Sequence, residues 1–177
     1  TNGLRYTIIN GNAQTVDGEK FDGSAKLFYA PHNTGKSEIV IQDYITLPGG
    51  KKYAVTSVGT HVFGTGNTLS VKTNLTLGKH VRTIAEQAFL DQTNLVGLKL
   101  NPNLKVIGVN GFGNCRIATD VILPCGFTTL ESHAFYNNSF KRILIPSSVT
   151  KMDSKCIAKN NYLQEIILNN TQFAYNY

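Results

Sequence analysis

A short apolar phrase recurs five times along this chain of 177 residues and restricts its fold more than any other feature. In each copy an aliphatic residue is followed, after four intervening residues, by a large apolar residue that is usually Phe. Successive copies begin 26, 23, 23 and 22 residues apart. A period of roughly 20–29 residues is typical of stacked-repeat solenoids, whose units bury their apolar faces only against each other. The five pairs are Val58/Phe63, Ile84/Phe89, Ile107/Phe112, Leu130/Phe135 and Met152/Ile157.

Each copy also contains a strand-like segment with two apolar residues spaced two apart. Such residues lie on one face of a strand, so the residue between them faces outward. We therefore predict one short strand per coil, beginning near residues 75, 98, 121, 143 and 166. The inward pairs are Leu75/Leu77, Leu98/Leu100, Val121/Leu123, Ile143/Ile145 and Ile166/Leu168.

The segments around the recurring Phe, such as AEQAFL and ESHAFY, are too short for stable helices but suit a single helical turn. These elements predict an α/β fold, a right-handed solenoid of short strands and short helical turns. Residues 1–54 are predicted to form an N-terminal β cap with lead-in strands. Residues 55–177 are predicted to form five coils of about 23 residues, the last one incomplete. Phe173 and Tyr175 are expected to cover the last coil, unless more chain follows it.

The charge pattern argues against several classes of partner. The formal net charge is +6, but the cations are scattered and the longest basic run is Lys51-Lys52, so nucleic-acid binding is not expected. No apolar run is long enough to span a membrane. The first residues, Thr-Asn-Gly, lack the basic segment and apolar run of a signal peptide.

The sequence gives little support for a catalytic, metal or cofactor site. The segment 30–37, APHNTGKS, fits a relaxed phosphate-loop pattern, but the β-rich sequence after it lacks the helix that such a loop requires. His61 and His133 share a repeat position on outer turns, and no catalytic triad, metal site or cofactor site can be assembled. The sequence leaves open whether Cys115 and Cys125 form a disulfide, since a separation of ten residues cannot establish one. We therefore predict a non-enzymatic protein without cofactor.

One constellation remains as a candidate protein-binding face. The outward residues between the inward pairs form a column across the coils, and its last three members form an aliphatic ladder. Apolar rungs beside charged residues are typical of protein contacts, although strand propensity alone also favours such residues. The candidate face consists of Thr76, Lys99, Ile122, Leu144 and Ile167, flanked by Asp120, Arg142 and Glu165.

The segment FKRILIPSSVTKMD, followed by KNNYLQEIIL, resembles the BspA-like leucine-rich repeats of bacterial surface proteins. The stretches NLVGLKLNPNLKVIGVNGFGNC and TTLESHAFYNNSFKRILIPSSVT match the same pattern, and the likeness covers about residues 38–172. The chain departs from the pattern through an insertion around 64–74 and through Ile157 in place of Phe. The resemblance implies an extracellular or cell-surface location.

The resemblance also implies adhesion-type binding to host or neighbouring-cell proteins. The alternative function is a structural spacer or self-assembly unit, in which the repeat face joins copies of the protein. A glycan ligand also stays open, although the chain has no Trp to stack on sugar rings.

Overall fold

The computed structural model describes residues 3–31, 35–63 and 69–169. Within these ranges the chain forms sixteen β-strands and no helix. The strands are β1 (Arg5–Asn10), β2 (Gln14–Val16), β3 (Glu19–Phe21), β4 (Gly23–Tyr29), β5 (Glu38–Val40), β6 (Tyr44–Thr46), β7 (Lys52–Val58), β8 (Thr73–Thr76), β9 (Thr83–Ile84), β10 (Leu95–Lys99), β11 (Val106–Ile107), β12 (Val121–Ile122), β13 (Thr129–Leu130), β14 (Arg142–Pro146), β15 (Lys151–Met152) and β16 (Glu165–Asn169).

Each coil contributes two strands, so the prediction of one strand per coil was wrong. The expected strands lie close to their predicted positions, beginning at residues 73, 95, 121, 142 and 165. The recurring aliphatic residues lie on additional strands, because they pair in parallel register from Val58 through Ile84, Ile107 and Leu130 to Met152. These strands extend an eight-stranded sheet of order β1-β4-β7-β9-β11-β13-β15, with β6 paired to β7.

The second strands of the coils form two shorter parallel sheets. Their orders are β10-β8-β5 and β12-β14-β16. The N-terminal residues join the same stack, because β1 pairs antiparallel with β4 and β4 pairs parallel with β7. The first sheet and these two shorter sheets thus form two sides of the coils.

The expected helical turns are absent from the described residues, and backbone geometry gives the reason. In every coil the residue two before the recurring Phe position has a positive φ, and in four coils so does the residue two after it, where a right-handed helix needs negative φ throughout. The chain therefore makes consecutive β-turns, which we call the anchor turns. The positive-φ residues of the anchor turns are His61, Gln87, Asp91, Asn110, Asn114, His133, Asn137, Lys155 and Lys159.

Backbone hydrogen bonds of the anchor turns alternate between the coil itself and the next coil. The amide of Ala88 donates to the carbonyl of Ala85 within its coil at 3.3 Å, whereas the next amide, Phe89, donates to Gly111 of the following coil at 2.9 Å. A helix would direct all its interior amides along its own axis. The anchor turns instead join neighbouring coils, and so close the third side of the solenoid.

Aromatic rings stack through the centre of the coils. Phe63, Phe89, Phe112 and Phe135 are at most 1% exposed, which confirms their prediction as core residues. Their successive ring centroids are 4.7, 4.9 and 5.4 Å apart, and the ring planes differ by 21°, 6° and 8°. Ile157, the fifth predicted member, is only partly buried.

A buried polar ladder runs beside the ring stack, three residues after the recurring Phe position in the second to fifth coils. The side chain of each ladder residue donates to the carbonyl of the residue at the recurring Phe position of the preceding coil. Asn138 Nδ2 donates to Phe112 O at 2.8 Å, and Asn160 Nδ2 donates to Phe135 O at 3.0 Å. Cys115 makes the same contact through its thiol, 3.1 Å from Phe89 O, and its burial raises its pKa. These contacts satisfy carbonyls that the ring stack would otherwise leave buried and unpaired.

The last described coil departs from the predicted burial pattern. Ile166 and Leu168 were expected to face inward, yet they are 49% and 66% exposed, and Met152 is 43% exposed. Each of their strands, β16 and β15, pairs with a described strand on one side only. Inward-facing residues need coils on both sides to be covered, and these three have a described coil on one side. Phe173 and Tyr175 lie outside the described residues.

A small hairpin, β2–β3, is held to the stack by hydrogen bonds from side chains of a later coil. Its Phe21 and Val16 bury Ala54, and its Asp17 accepts hydrogen bonds from His80 at 2.8 Å and Arg82 at 2.6 Å. His80 is fully buried, with its ring at the edge of Phe21. The hairpin therefore connects the first thirty residues to residues 80–82.

Candidate interaction face

The candidate face lies on the side of the coils formed by the two shorter sheets. We call its eight residues the repeat face: Thr76, Lys99, Asp120, Ile122, Arg142, Leu144, Glu165 and Ile167. Strand register places Thr76 beside Lys99, and Leu144 between Ile122 and Ile167. The column predicted from the sequence is therefore present, but it is divided between two sheets.

The aliphatic ladder is less exposed than predicted. Ile122 is 48% exposed and Ile167 37% exposed, but Leu144 is 9% exposed and belongs to the buried residues. Adjacent strands lie about 4.8 Å apart, so the two isoleucines cover the rung between them. The prediction of a solvent-facing ladder was wrong for Leu144. The accessible apolar surface is concentrated on Ile122 and Ile167.

Charged residues that contact each other form the border of this apolar surface. Asp120 Oδ2 accepts two hydrogen bonds from Arg142, at 2.9 Å from Nε and 2.6 Å from Nη2. Arg142 is opposite Glu165 in the register of β14 and β16. The hydrogen bond to Asp120, together with its charge, raises the pKa of Arg142. The border therefore presents a carboxylate, a guanidinium and a second carboxylate on successive coils.

The repeat face is interrupted between the second and third coils. No strand pairing joins β10 to β12 among the described residues. The Oγ1 atom of Thr119 instead accepts a hydrogen bond from the amide of Leu98 at 3.1 Å, where a paired strand would provide a carbonyl. Lys99 is exposed and Thr76 is half-buried. These two residues form a separate polar part of the face.

The other candidate chemistry of the sequence gains no support from the described residues. The strand β5 begins at Glu38, where a phosphate loop would need a helix, and residues 32–34 lie outside the described ranges. No disulfide joins Cys115, which is buried, to Cys125, which is exposed. The described part of the chain contains no group of three or more His, Cys, Asp or Glu that could hold a metal ion. It also contains no helix that is long and apolar enough to cross a membrane.

Sequence reasoning missed a polar groove along one edge of the anchor turns. Its walls come from the residues two and four positions after the recurring Phe position, and the buried polar ladder forms its floor. The signal was present in the repeat alignment, where these positions are polar in successive coils. The wall residues are Thr93, Asn114, Arg116, Asn137, Ser139, Lys159 and Asn161.

Comparisons with known proteins agree with this architecture. The family model described as BspA type leucine-rich repeat region matches residues 56–177, with six copies. A search of curated proteins finds no significant match.

Solved structures share the fold at low sequence identity. A leucine-rich repeat protein from Bacteroides ovatus matches with a TM-score of 0.76 and 22% identity, covering 94% of this chain and 40% of that protein. A second, from Bacteroides capillosus, matches with a TM-score of 0.52 and 23% identity, covering 89% of this chain and 98% of that one. This chain thus spans less than half of the Bacteroides ovatus protein. Because the family model covers well over half of the sequence, the chain belongs to the BspA type leucine-rich repeat family.

Proposed function

We propose that this protein is a non-enzymatic binding module that contacts another protein through its repeat face. The exposed pair Ile122 and Ile167, beside the charged border of Asp120, Arg142 and Glu165, carries the proposal. An apolar centre rimmed by charges supplies both buried area and orientation in protein contacts. Membership of the BspA type family supports a location at the cell surface or outside the cell, where host or neighbouring-cell proteins are the partners.

Self-assembly is a second candidate function, and one observation favours it. The exposed inward residues of the last described strands, Met152, Ile166 and Leu168, present apolar surface that a further coil or a second copy would bury. The protein then acts as a spacer or an assembly unit, and association occurs at the last described coil.

A double substitution tests the repeat face directly. We expect Ile122→Thr with Ile167→Thr to leave folding nearly intact, because the two substitutions remove apolar area from the surface rather than from the core. Leu144 is kept, since it is buried. Truncating anchors that dominate an interface commonly costs about 2 kcal/mol or more, which is roughly thirtyfold in affinity. The measurement is capture from a panel of extracellular proteins, followed by an affinity titration of each captured partner.

The matched control is Ile9→Thr with Val71→Thr, which removes two aliphatic side chains that are 51% and 40% exposed elsewhere on the molecule. The control should bind like the unmodified protein. Equal binding by the repeat-face variant would contradict the proposal. Sedimentation of the unmodified protein distinguishes the second candidate, because only self-assembly predicts a concentration-dependent mass.

A further inference from the structure

The polar groove on the anchor-turn edge is a small, built concavity on a different surface from the repeat face. Its volume is about 270 Å³, just under the range of roughly 300–1,000 Å³ for pockets that hold drug-sized molecules. One wall consists of Asn114, Asn137 and Lys159, and the other of Thr93, Arg116, Ser139 and Asn161. Equivalent residues of adjacent coils repeat about every 4.8 Å, so the groove offers polar groups at regular intervals along its length.

Most backbone groups around the groove already have partners. The amides of Asn114 and Asn137 donate to carbonyls of the next coil at 2.8 and 2.9 Å, and the amide of Ser139 donates to Ile117 O at 3.0 Å. On the floor, Asn138 bonds Phe112 O through its Nδ2 and the amide of Ile117 through its Oδ1. A ligand must therefore be recognised by side chains, which disfavours an extended peptide, because a peptide needs partners for its own backbone groups.

Hydrogen bonds hold the amide side chains of the wall in place, yet each side chain keeps an N–H hydrogen for a further acceptor. Asn137 Nδ2 donates to Asn114 Oδ1 at 3.1 Å, and Asn114 Nδ2 donates to Asp91 Oδ1 at 2.8 Å. Each amide nitrogen carries two hydrogens, so one hydrogen on each side chain is left for another acceptor. Side chains fixed in this way lose little conformational entropy on binding.

The charges in the groove have one sign. Arg116 and Lys159 are both exposed, and none of the lining residues, all of which lie within 69–169, is acidic. Lys159 Nζ lies 5.4 Å from the ring centroid of Tyr136. Hydrogen bonding to Tyr136 raises the pKa of Lys159, which therefore stays cationic at neutral pH. Arg116 adds a planar guanidinium that can bind a carboxylate or sulfate through two hydrogen bonds.

An aromatic ring lies at the end of the groove. Tyr162 lines it and is 64% exposed, so an apolar ring face and a phenolic hydroxyl are both accessible there. A pyranose ring has the complementary pattern, with C–H groups on its faces and hydroxyl groups around its rim. Side-chain amides, hydroxyls, two cations and one aromatic ring thus match a sugar that carries an anionic group.

We propose that this groove binds an acidic sugar, a pyranose bearing a carboxylate or a sulfate. Arg116 and Lys159 bind the anionic group, the amides of Asn137 and Asn161 bind hydroxyls, and Tyr162 packs on the ring. This site is independent of the proposed protein contact, because it shares no residue with the repeat face.

Nuclear magnetic resonance titration of the ¹⁵N-labelled protein tests the proposal. The probes are glucuronate, glucose 6-sulfate, neutral glucose and hexaglutamate. We expect glucuronate or glucose 6-sulfate to shift the backbone amide signals of residues 116, 137–139 and 159–162, with glucose at least tenfold weaker. Arg116→Gln and Lys159→Gln should each weaken acidic-sugar binding about tenfold, because each removes one charge-assisted hydrogen bond. Whichever acidic sugar binds more tightly identifies the anionic group.

Lys141→Gln is the matched control, because it removes the same charge from an exposed lysine outside the groove, and its affinity should equal that of the unmodified protein. Loss of affinity in the control equal to that in Arg116→Gln would overturn the site in favour of general charge attraction. No signal change with either acidic sugar up to about 20 mM would overturn it as well, since a millimolar Kd would saturate there. Equal affinity for glucose would remove the role of the anion, and equal affinity for hexaglutamate would assign the groove to acidic peptides.

Discussion

Phe112 shows how much a single residue contributes to this stack. Its ring lies between Phe89 at 4.9 Å and Phe135 at 5.4 Å, and the side chain is fully buried. Its carbonyl accepts the hydrogen bond from Asn138, so the same residue anchors both the ring stack and the polar ladder. A change at this position therefore affects three consecutive coils.

Phe112→Ala should lower the free energy of unfolding by about 3–5 kcal/mol, the range for deleting a core Phe. The loss combines the transfer of the ring out of the core with the cavity that it leaves between two neighbouring rings. Urea denaturation followed by circular dichroism measures it. Phe112→Leu is the control, and it should cost clearly less because it fills most of the cavity. A loss below about 1 kcal/mol for the alanine variant would show that the rings do not form the core.

Residue periodicity made the ring stack predictable, but it could not reveal every conformation. Asn110, Asn114 and Asn137 carry a residue type that tolerates positive φ, whereas Gln87 and Lys155 share that conformation without any such preference. Their φ values follow from the hydrogen bonds that coils make with each other. Helical turns were therefore predicted where the structure has β-turns.

At the scale of elements, the hairpin β2–β3 depends on contacts across 63 residues of sequence. Asp17 is one of two residues with positive φ in the hairpin turn, and it accepts hydrogen bonds from both His80 and Arg82. Burial raises the pKa of Asp17, but the hydrogen bonds from His80 and Arg82 and their charges outweigh it, so the pKa of Asp17 is lowered. No local pattern linked Asp17 to His80, and the buried role of His80 was not predicted.

A lowered carboxylate pKa makes stability depend on pH in one direction. The contribution of Asp17 should be complete above its ordinary pKa of about 3.9 and should be lost as the pH falls through its lower native pKa. Asp17→Asn should therefore cost about 1–3 kcal/mol at pH 7 and progressively less below pH 4. Urea titrations between about pH 7 and pH 2.5 measure the difference.

The control for this prediction is Glu86→Gln, which neutralises an exposed carboxylate in the anchor turns. Its stability difference from the unmodified protein should stay small at every pH. A constant cost of Asp17→Asn across the whole range would mean that the charge of Asp17 does not hold the hairpin.

The repeat face shows a second limit to what the sequence of one strand can predict. The alternation of Val121, Ile122 and Leu123 was enough to predict which side chains face outward. The burial of Leu144 was not predictable from its own strand, because it results from the isoleucines on the strands on either side. Exposure in a solenoid is a property of three adjacent coils.

At the scale of the whole molecule, stability should vary along the stack. Each coil contacts only its neighbours, so the energy of a solenoid is approximately a sum of coil and interface terms. Strands β9, β11 and β13 have a paired strand on both sides, whereas β15 and β16 have one such partner among the described strands. The exposed inward residues of β16 add little burial at that end.

Amide hydrogen exchange should therefore be fastest in the last described coil. We expect the amides of Glu165–Asn169 to exchange at least tenfold faster than those of Arg142–Pro146, because β16 pairs with one described strand whereas β14 pairs with two. Mass spectrometry of peptides after deuterium labelling measures both segments in one experiment. Equal protection of the two strands would indicate that the molecule opens only as a whole.

The alternating amides of the anchor turns have an electrical consequence. The amide of Phe63 donates to Ala88 O, Phe89 to Gly111 O, Phe112 to Ala134 O and Phe135 to Cys156 O. Each acceptor carbonyl belongs to the peptide unit whose amide donates next, so the units form a head-to-tail chain along the solenoid axis. Their dipoles add, as they do in an α-helix, with the positive pole toward the last coil. Since hydrogen bonds in such chains polarise one another, every added coil strengthens the bonds of the coils before it.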